Sequence, residues 1–353
     1  METVRIRTPQ SLLSLLPRLV GPTGAPAIVA LPFSGGRSGM PMMLDLPGRR
    51  DVAGTARAIR AGALGGDAVV LIACLEEPLG AGPLPLRIEM TRIAERLGRW
   101  GIGTLELLAI APDAWGDYAH PEAARGPLAE LDLLEDPAPG VPEPTPVPGV
   151  PEGDGGDAAR AVARWFGVLD GADLGPACAD PVAALERAVA LAPQLGSGPS
   201  ALGVDPAKAA AIAIVLVRSP ATRDLAIELA IDGADAAAVT LAAAEDRALE
   251  GDAAANRFMG MGPAPDAERL LDQLRRWSAI AEAAPLEARA PLLVIVGFLQ
   301  FFVGRGRTAG RCAELAIAID PTLTMAPLLR DIIDAKGAPD WVLRPAWATQ
   351  DAS

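Results

Sequence analysis

The sequence predicts an α+β / α/β architecture in two parts: an N-terminal mixed β-sheet domain with flanking helices over 1–134 and a C-terminal all-α helical array over 158–345, joined by a Pro/Gly-rich linker over 135–157. Three observations predict it. Short apolar runs of strand type occur only before the linker. Apolar spacing of three and four governs the chain after it. Between the two lies a stretch where proline alternates with Gly, Glu and Val, and nothing bulky is available to offset the entropy of ordering.

The N-terminal elements follow in order. Thr8-Pro9 is a helix start, a cap residue followed by proline at the first helical position. Leu12, Leu13, Leu15, Leu16 and Leu19 then form one wide apolar face, and Pro17 is expected to shorten that helix. Ala27 to Phe33 is strand-like, Ser34 to Gly39 is turn chemistry and Met42 to Leu46 returns, which predicts a hairpin. Asp51 to Leu64 has helical spacing and closes on Gly65-Gly66. Ala68 to Leu75 is an uninterrupted apolar strand of the kind covered on both faces. Leu86 to Trp100 is helical, and Thr104 to Ala111 is the next strand, so the later β-α-β unit should be parallel within a mixed sheet.

The linker is expected to be an extended, semi-rigid spacer. Beyond Asp157, helical patterns run over 158–169, 181–191, 206–218, 221–229, 234–249, 266–282, 286–302, 308–319 and 322–334, separated almost everywhere by Pro or Gly. Ala290 to Gly304 is the longest charge-free apolar run; it is too short to span a bilayer and predicts a buried core helix. Gly304 to Arg307 is a tight turn, and Ala309, Cys312, Ala313, Ala316 and Ile319 then space small residues at three and four before Asp320-Pro321. That helix resembles the second helix of a tetratricopeptide unit, so tetratricopeptide-like hairpins are the expectation for this region.

Composition bounds the function. Half of the 353 residues are hydrophobic and only 4% aromatic, so the cores are expected to be built from small, closely approaching helices. Lys208 and Lys336 are the only lysines; with so much Ala, Gly and Pro, that reads as the codon bias of a GC-rich genome. The formal net charge of −13 repels phosphate backbones and anionic lipid, which argues against nucleic-acid and membrane-surface partners. Cys74, Cys178 and Cys312 are odd in number and form no C-x-x-C pair, which predicts buried thiols rather than a disulfide framework. The first residues lack the charged-then-apolar layout of a signal peptide, and a cytoplasmic location is expected.

Several stretches together resemble an actinobacterial family described only as a domain of unknown function. Its members open with a leucine-rich helix ending in proline and glycine, here similar to Leu12 to Gly21, and continue to a strand ending like Leu44-Asp45-Leu46-Pro47. Ser219 to Asp224 resembles its central Arg-Asp helix start; Ala290 to Leu293 and Ala318 to Pro321 resemble its final helical hairpin. The chain departs from the family where a His-Pro loop is usual, showing Pro22 to Pro26, and it keeps Tyr118 and His120-Pro121-Glu122 without the nearby cysteines. The resemblance implies the fold and carries no established activity.

The candidate ligand site is the segment Asp113 to Glu122, which holds the chain's single histidine and single tyrosine. It follows a predicted strand end, where α/β sheets usually bind ligands. His120 could act as a general base oriented by Asp117, with Trp115 and Tyr118 beside it and Asp45 at a neighbouring strand end. The competing reading is a surface turn whose aromatics cap the sheet edge. Arg305, Arg307 and Arg311 flank a helix start and are candidate anion or partner contacts. Ser34 to Gly39 lacks the Gly-Lys-Ser/Thr of a phosphate loop, no Gly-x-Ser-x-Gly elbow occurs, and no His/Cys/Asp set has metal spacing. No metal and no cofactor is expected. The favoured function is a non-enzymatic interaction or scaffold protein with a protein partner; the alternative is an enzyme or small-molecule binder using Asp113 to Glu122.

Overall fold

The computed structural model describes residues 8–20, 26–47, 51–63, 65–80, 82–120, 125–131, 156–175, 179–196, 204–237 and 256–343. The chain divides into two compact units, Met1–Thr145 with Leu343–Ser353, and Pro146–Val342. Of the expected linker, residues 135–155 lie outside the described residues, and Gly156 and Asp157 begin a helix. Cys178 and most of the expected helix over 234–249 also lie outside them.

The first unit is a seven-stranded mixed sheet. Helix α1 (Pro9–Val20) leads into β1 (Ala27–Ser34), β2 (Arg37–Ser38) and β3 (Met42–Asp45), then α2 (Val52–Gly62), β4 (Ala68–Cys74), α3 (Arg87–Arg99), β5 (Gly103–Ile110), β6 (Ala114–Asp117) and β7 (Arg125–Pro127). The order is β2-β1-β4-β5-β6-β7, with β3 also on β1. The expected hairpin is present: β1 pairs antiparallel with β2 through Ser34↔Arg37 and with β3 through Ala27↔Asp45. Gly35 and Gly36 hold φ of 56° and 78° at its turn, a conformation that residues with a Cβ avoid. β4 and β5 are parallel, and β1, β6 and β7 run antiparallel to their neighbours.

Alternation along the strands feeds two apolar layers. Ile28, Ala30, Val69, Leu71, Ala73, Leu107 and Ala109 face α2 and α3, which supply Ala56, Ile59, Met90, Ile93 and Leu97. Val29, Leu31, Val70, Ile72, Cys74 and Leu108 form the other layer with Leu12, Leu13, Leu16 and Val20 of α1. Pro17 does not shorten helix α1 as expected; the helix runs to Val20. Proline removes one amide donor and no apolar side chain, so the Leu12-Leu13-Leu16-Val20 face still packs on the sheet on both sides of it.

The second unit is helical among its described residues: α4 (Asp157–Leu169), α5 (Pro181–Leu191), α6 (Pro206–Leu216), α7 (Pro220–Asp232), α8 (Ala267–Ala283), α9 (Arg289–Phe302), α10 (Gly306–Ile319), α11 (Met325–Lys336) and the short α12 (Asp340–Leu343). Asp-Pro starts are used as caps: Asp180 Oδ1 accepts from the Ala183 amide at 3.0 Å and Asp205 Oδ1 from the Ala207 amide at 2.9 Å. Every residue of α9 is buried, and α7, α8, α10 and α11 pack around it. Ala309, Cys312, Ala313 and Ala316 of α10 form its buried face toward α9 and α11. At Gly297 a Cβ would stand 3.2 Å from the Cβ of Cys312 and 2.6 Å from Cδ2 of Leu329, so glycine is what lets α9 meet α10 and α11 this closely. Burial pushes the Cys312 thiol up to about 12. Among the described residues no helix is long and apolar enough to cross a membrane.

Candidate functional site

The segment read from the sequence as a loop after β5 is largely a strand. Asp113 sits in the turn, and β6 then runs back antiparallel along β5 with Ile110↔Trp115, Ala109↔Gly116 and Leu108↔Asp117 in register. Each step from Trp115 toward Asp117 therefore moves away from the carboxyl end of β5. That corrects the strand-edge placement: Asp113 lies at that edge, while Asp117, Tyr118 and His120 follow the chain toward the amino-terminal half of β5.

Most of the segment's polar chemistry holds the β4–α3 connection in place. Asp113 Oδ1 accepts the Leu79 amide at 2.9 Å; that amide, with others of the turn and connection, keeps the carboxyl below its ordinary range. Tyr118 donates its hydroxyl to the Pro85 carbonyl at 2.7 Å. Arg125 Nη2 donates to the Gly82 carbonyl at 3.1 Å. Leu84, from the same connection, packs on Gly116, where a Cβ would come within 2.9 Å of its Cδ2. Tyr118 and Trp115 are both buried, on opposite faces of the sheet. Burial, then the Glu89 carboxylate, raises the Tyr118 phenol well above its usual range. Both aromatics are core residues of the sheet.

What remains is a small polar cluster whose solvent-facing member is His120. Asp117 Oδ1 accepts the Ala119 amide at 2.7 Å, and Oδ2 lies 3.0 Å from His120 Nδ1. The carboxylate side chain is 8% exposed and the imidazole 72%, so a fixed acceptor orients a wet ring. In the tautomer in which the carboxylate accepts this bond, Nδ1 carries the proton and Nε2 is directed away from it. Glu106 shares a face with Leu108, two residues on, and hence with Asp117 across the strand pair. Burial and then Asp117 raise the Glu106 carboxyl, and His120 opposes them. Glu106 escaped the sequence reading because its relation to Asp117 exists only once 114–117 is paired as a strand.

The other candidates do not join this cluster. Asp45 is exposed at the end of β3, opposite Ala27, with β1, β4 and β5 between it and β6. Four inter-strand steps amount to about 19 Å. Arg305 is buried at the cap of α10, with Nη1 unpartnered and the guanidinium lowered by burial. Arg307 is half-buried, and Arg311 is exposed and pairs with Glu314 on its own helix at 3.3 Å. One buried arginine and one turned along the surface do not make a shared anion cradle. Among the described residues no group of three His, Cys, Asp or Glu is placed to hold a metal ion.

The fold and the site together define a mixed-sheet domain with an oriented surface histidine, followed by a helical region. Comparison with protein-family models, with curated proteins and with solved structures finds no match for the chain.

Proposed function

We propose that the protein is a non-enzymatic interaction or scaffold protein of the cytoplasm, whose helical region docks a protein partner. The observation that carries this reading is the succession α9–α10–α11. Two helices joined by a tight turn meet through Gly297 and the Ala309-Cys312-Ala313-Ala316 stripe, and a third packs across both. We read them as tetratricopeptide-like hairpins, a design that builds rigid surfaces for peptide recognition. Leu328 of α11 is 47% exposed while Ala326, Leu329 and Ile332 of the same helix are buried, which gives the outer face an apolar contact point. This reading is consistent with membership of the actinobacterial family that the sequence resembles.

The test is affinity capture with the full chain and with Leu328→Glu, after circular dichroism has established that both fold alike. Partners held by the wild type and lost by the variant support docking. Co-purification of a small molecule, with no partner sensitive to Leu328, refutes it.

A second reading rests on the Asp117–His120 pair: a small-molecule binder or enzyme using His120 as an oriented base. A thermal-shift screen of metabolites against wild type and His120→Ala separates the two, because only this reading predicts a ligand whose stabilisation disappears with the imidazole.

A further inference from the structure

Two buried arginines of the helical region show what a structural guanidinium does here. Arg257 chelates Asp232, with Nε on Oδ2 at 2.8 Å and Nη2 on Oδ1, and gives Nη1 to the Pro263 carbonyl. Arg289 donates Nε to the Ala284 carbonyl and Nη2 to the Glu282 carbonyl, both at 2.8 Å. Arg223, on α7, is buried as deeply as Arg289 but is not served in this way. Its Nε and Nη1 are enclosed and donate no hydrogen bond among the described residues. Buried donors are paired in the great majority of cases, and a charged group with five N–H donors is among the costliest to leave unserved.

The next residue is unserved in the complementary sense. Asp224 Oδ1 is buried, accepts no hydrogen bond among the described residues and stands 3.8 Å from Arg223 Nε. That separation makes an ion pair but lies beyond hydrogen-bond reach. The Arg223 side chain is 4% exposed and that of Asp224 41%, so Asp224 connects the gap between Nε and Oδ1 to the surface. Burial lowers the Arg223 guanidinium and raises the Asp224 carboxyl, each against the pull of the other. The pair lies in the amino-terminal part of α7, where the Ser219 cap supplies no side-chain acceptor and the helix dipole adds positive potential.

Charge and spacing narrow what fits. An oxyanion alone would answer Arg223 but meet the Asp224 carboxylate; a cation alone would answer Asp224 but meet the guanidinium. A guest carrying both charges side by side avoids either conflict. Being neutral overall, it is also not repelled by the chain's net charge of −13. In an α-amino acid a single carbon separates carboxylate from ammonium, on the scale of the 3.8 Å gap. Arg305 also keeps a buried, unpartnered Nη1, but no carboxylate forms an ion pair with it among the described residues, so it offers a donor without the acceptor.

We propose that Arg223 and Asp224 form a binding site for an α-amino acid, its carboxylate on the Arg223 guanidinium and its ammonium on Asp224 Oδ1. The site lies in the helical unit, apart from the Asp117–His120 pair, and does not depend on what that unit docks.

The test is calorimetric titration of the full chain with glycine, with each other L-α-amino acid, and with acetate and methylammonium at matched ionic strength. At least one amino acid should bind about tenfold or more tightly than acetate or methylammonium, each of which leaves one buried charge unanswered. Asp224→Asn keeps the shape of a half-exposed side chain and should fold as the wild type does by circular dichroism. It should lose about tenfold or more in amino-acid affinity and most of the preference over acetate. Arg223→Lys keeps the charge without the planar donor set and should weaken both. A crystal structure with the bound amino acid should place it between Arg223 and Asp224, a readout that needs no variant. No binding of any amino acid, acetate binding as tight as the best of them, affinity unchanged in both variants, or ordered water alone between the two side chains at saturating amino acid would each overturn the proposal.

Discussion

Substituting Gly297 by alanine tests whether the α9–α10–α11 contact is as close as the backbone implies. The new methyl would stand 2.6 Å from Leu329 Cδ2 and 3.2 Å from Cys312 Cβ, against an optimum carbon separation of about 3.5–4.0 Å. Leu329 and Cys312 are both fully buried, so neither can swing into solvent. Relief requires an off-rotamer Leu329 or a helix shift of about 1 Å, and overpacking of this kind costs about 1–3 kcal/mol. Alanine recovers up to about 1 kcal/mol of helix propensity, which leaves a net loss of about 1–2 kcal/mol. Urea denaturation followed by circular dichroism measures the loss, and hydrogen exchange across 289–319 locates it. Leu329→Ala alone should cost about 2–5 kcal/mol. The double variant should be more stable than the sum of the singles by about 1 kcal/mol, because the methyl added at position 297 enters space that Leu329 vacates. A Gly297→Ala protein as stable as the wild type, or strictly additive variants, would refute the close-contact account.

Other outcomes follow from single contacts. Tyr118→Phe strands the Pro85 carbonyl and should cost about 1 kcal/mol by denaturation. Because the folded phenol ionises later than the unfolded one, its contribution is intact below the ordinary tyrosine range and is lost as pH rises beyond about 10; phenolate absorbance of this single tyrosine should appear only with unfolding. Asp205→Ala removes both the α6 cap and the acceptor for Trp165 Nε1 at 2.7 Å, for about 2 kcal/mol and a shift in Trp165 fluorescence. Glu228 has a raised carboxyl, so stability should be full below about 4.5 and decline as pH rises toward about 7; Glu228→Gln should be the more stable protein at about pH 8, by roughly 1–3 kcal/mol after allowance for solvent screening. The single histidine makes nitrogen NMR unambiguous: neutral His120 should hold its proton on Nδ1 in the wild type, and Asp117→Ala should remove that bias.

Much of the fold was legible because its signals are local. Strand alternation at Ala27 to Phe33, the apolar run of Ala68 to Cys74 and the Asp-Pro starts of α5 and α6 each act within a few residues of themselves. Pro17 misled for the same reason: its local penalty is real, but a nonlocal apolar face outweighs it. The strand β6 was missed because Ala114 to Asp117 has no alternation of its own and is a strand by virtue of its pairing with β5.

The candidate site divides in the same way. Residue types pointed to the Asp113 to Glu122 segment and to an Asp117–His120 pair three residues apart, and that pair forms. Pairing distance then decided which of the other candidates could meet it: Asp45 is separated by three intervening strands, and Glu106 enters through cross-strand register. What the sequence by itself determined was the change from strand rhythm to helical rhythm, because period and capping are properties of neighbouring residues. Only the tertiary structure decided that Tyr118 is a core hydroxyl, that Gly297 is a point of helix contact and that Glu228 is a buried acid. Burial and desolvation arise from residues far apart in the chain, and no local pattern encodes them.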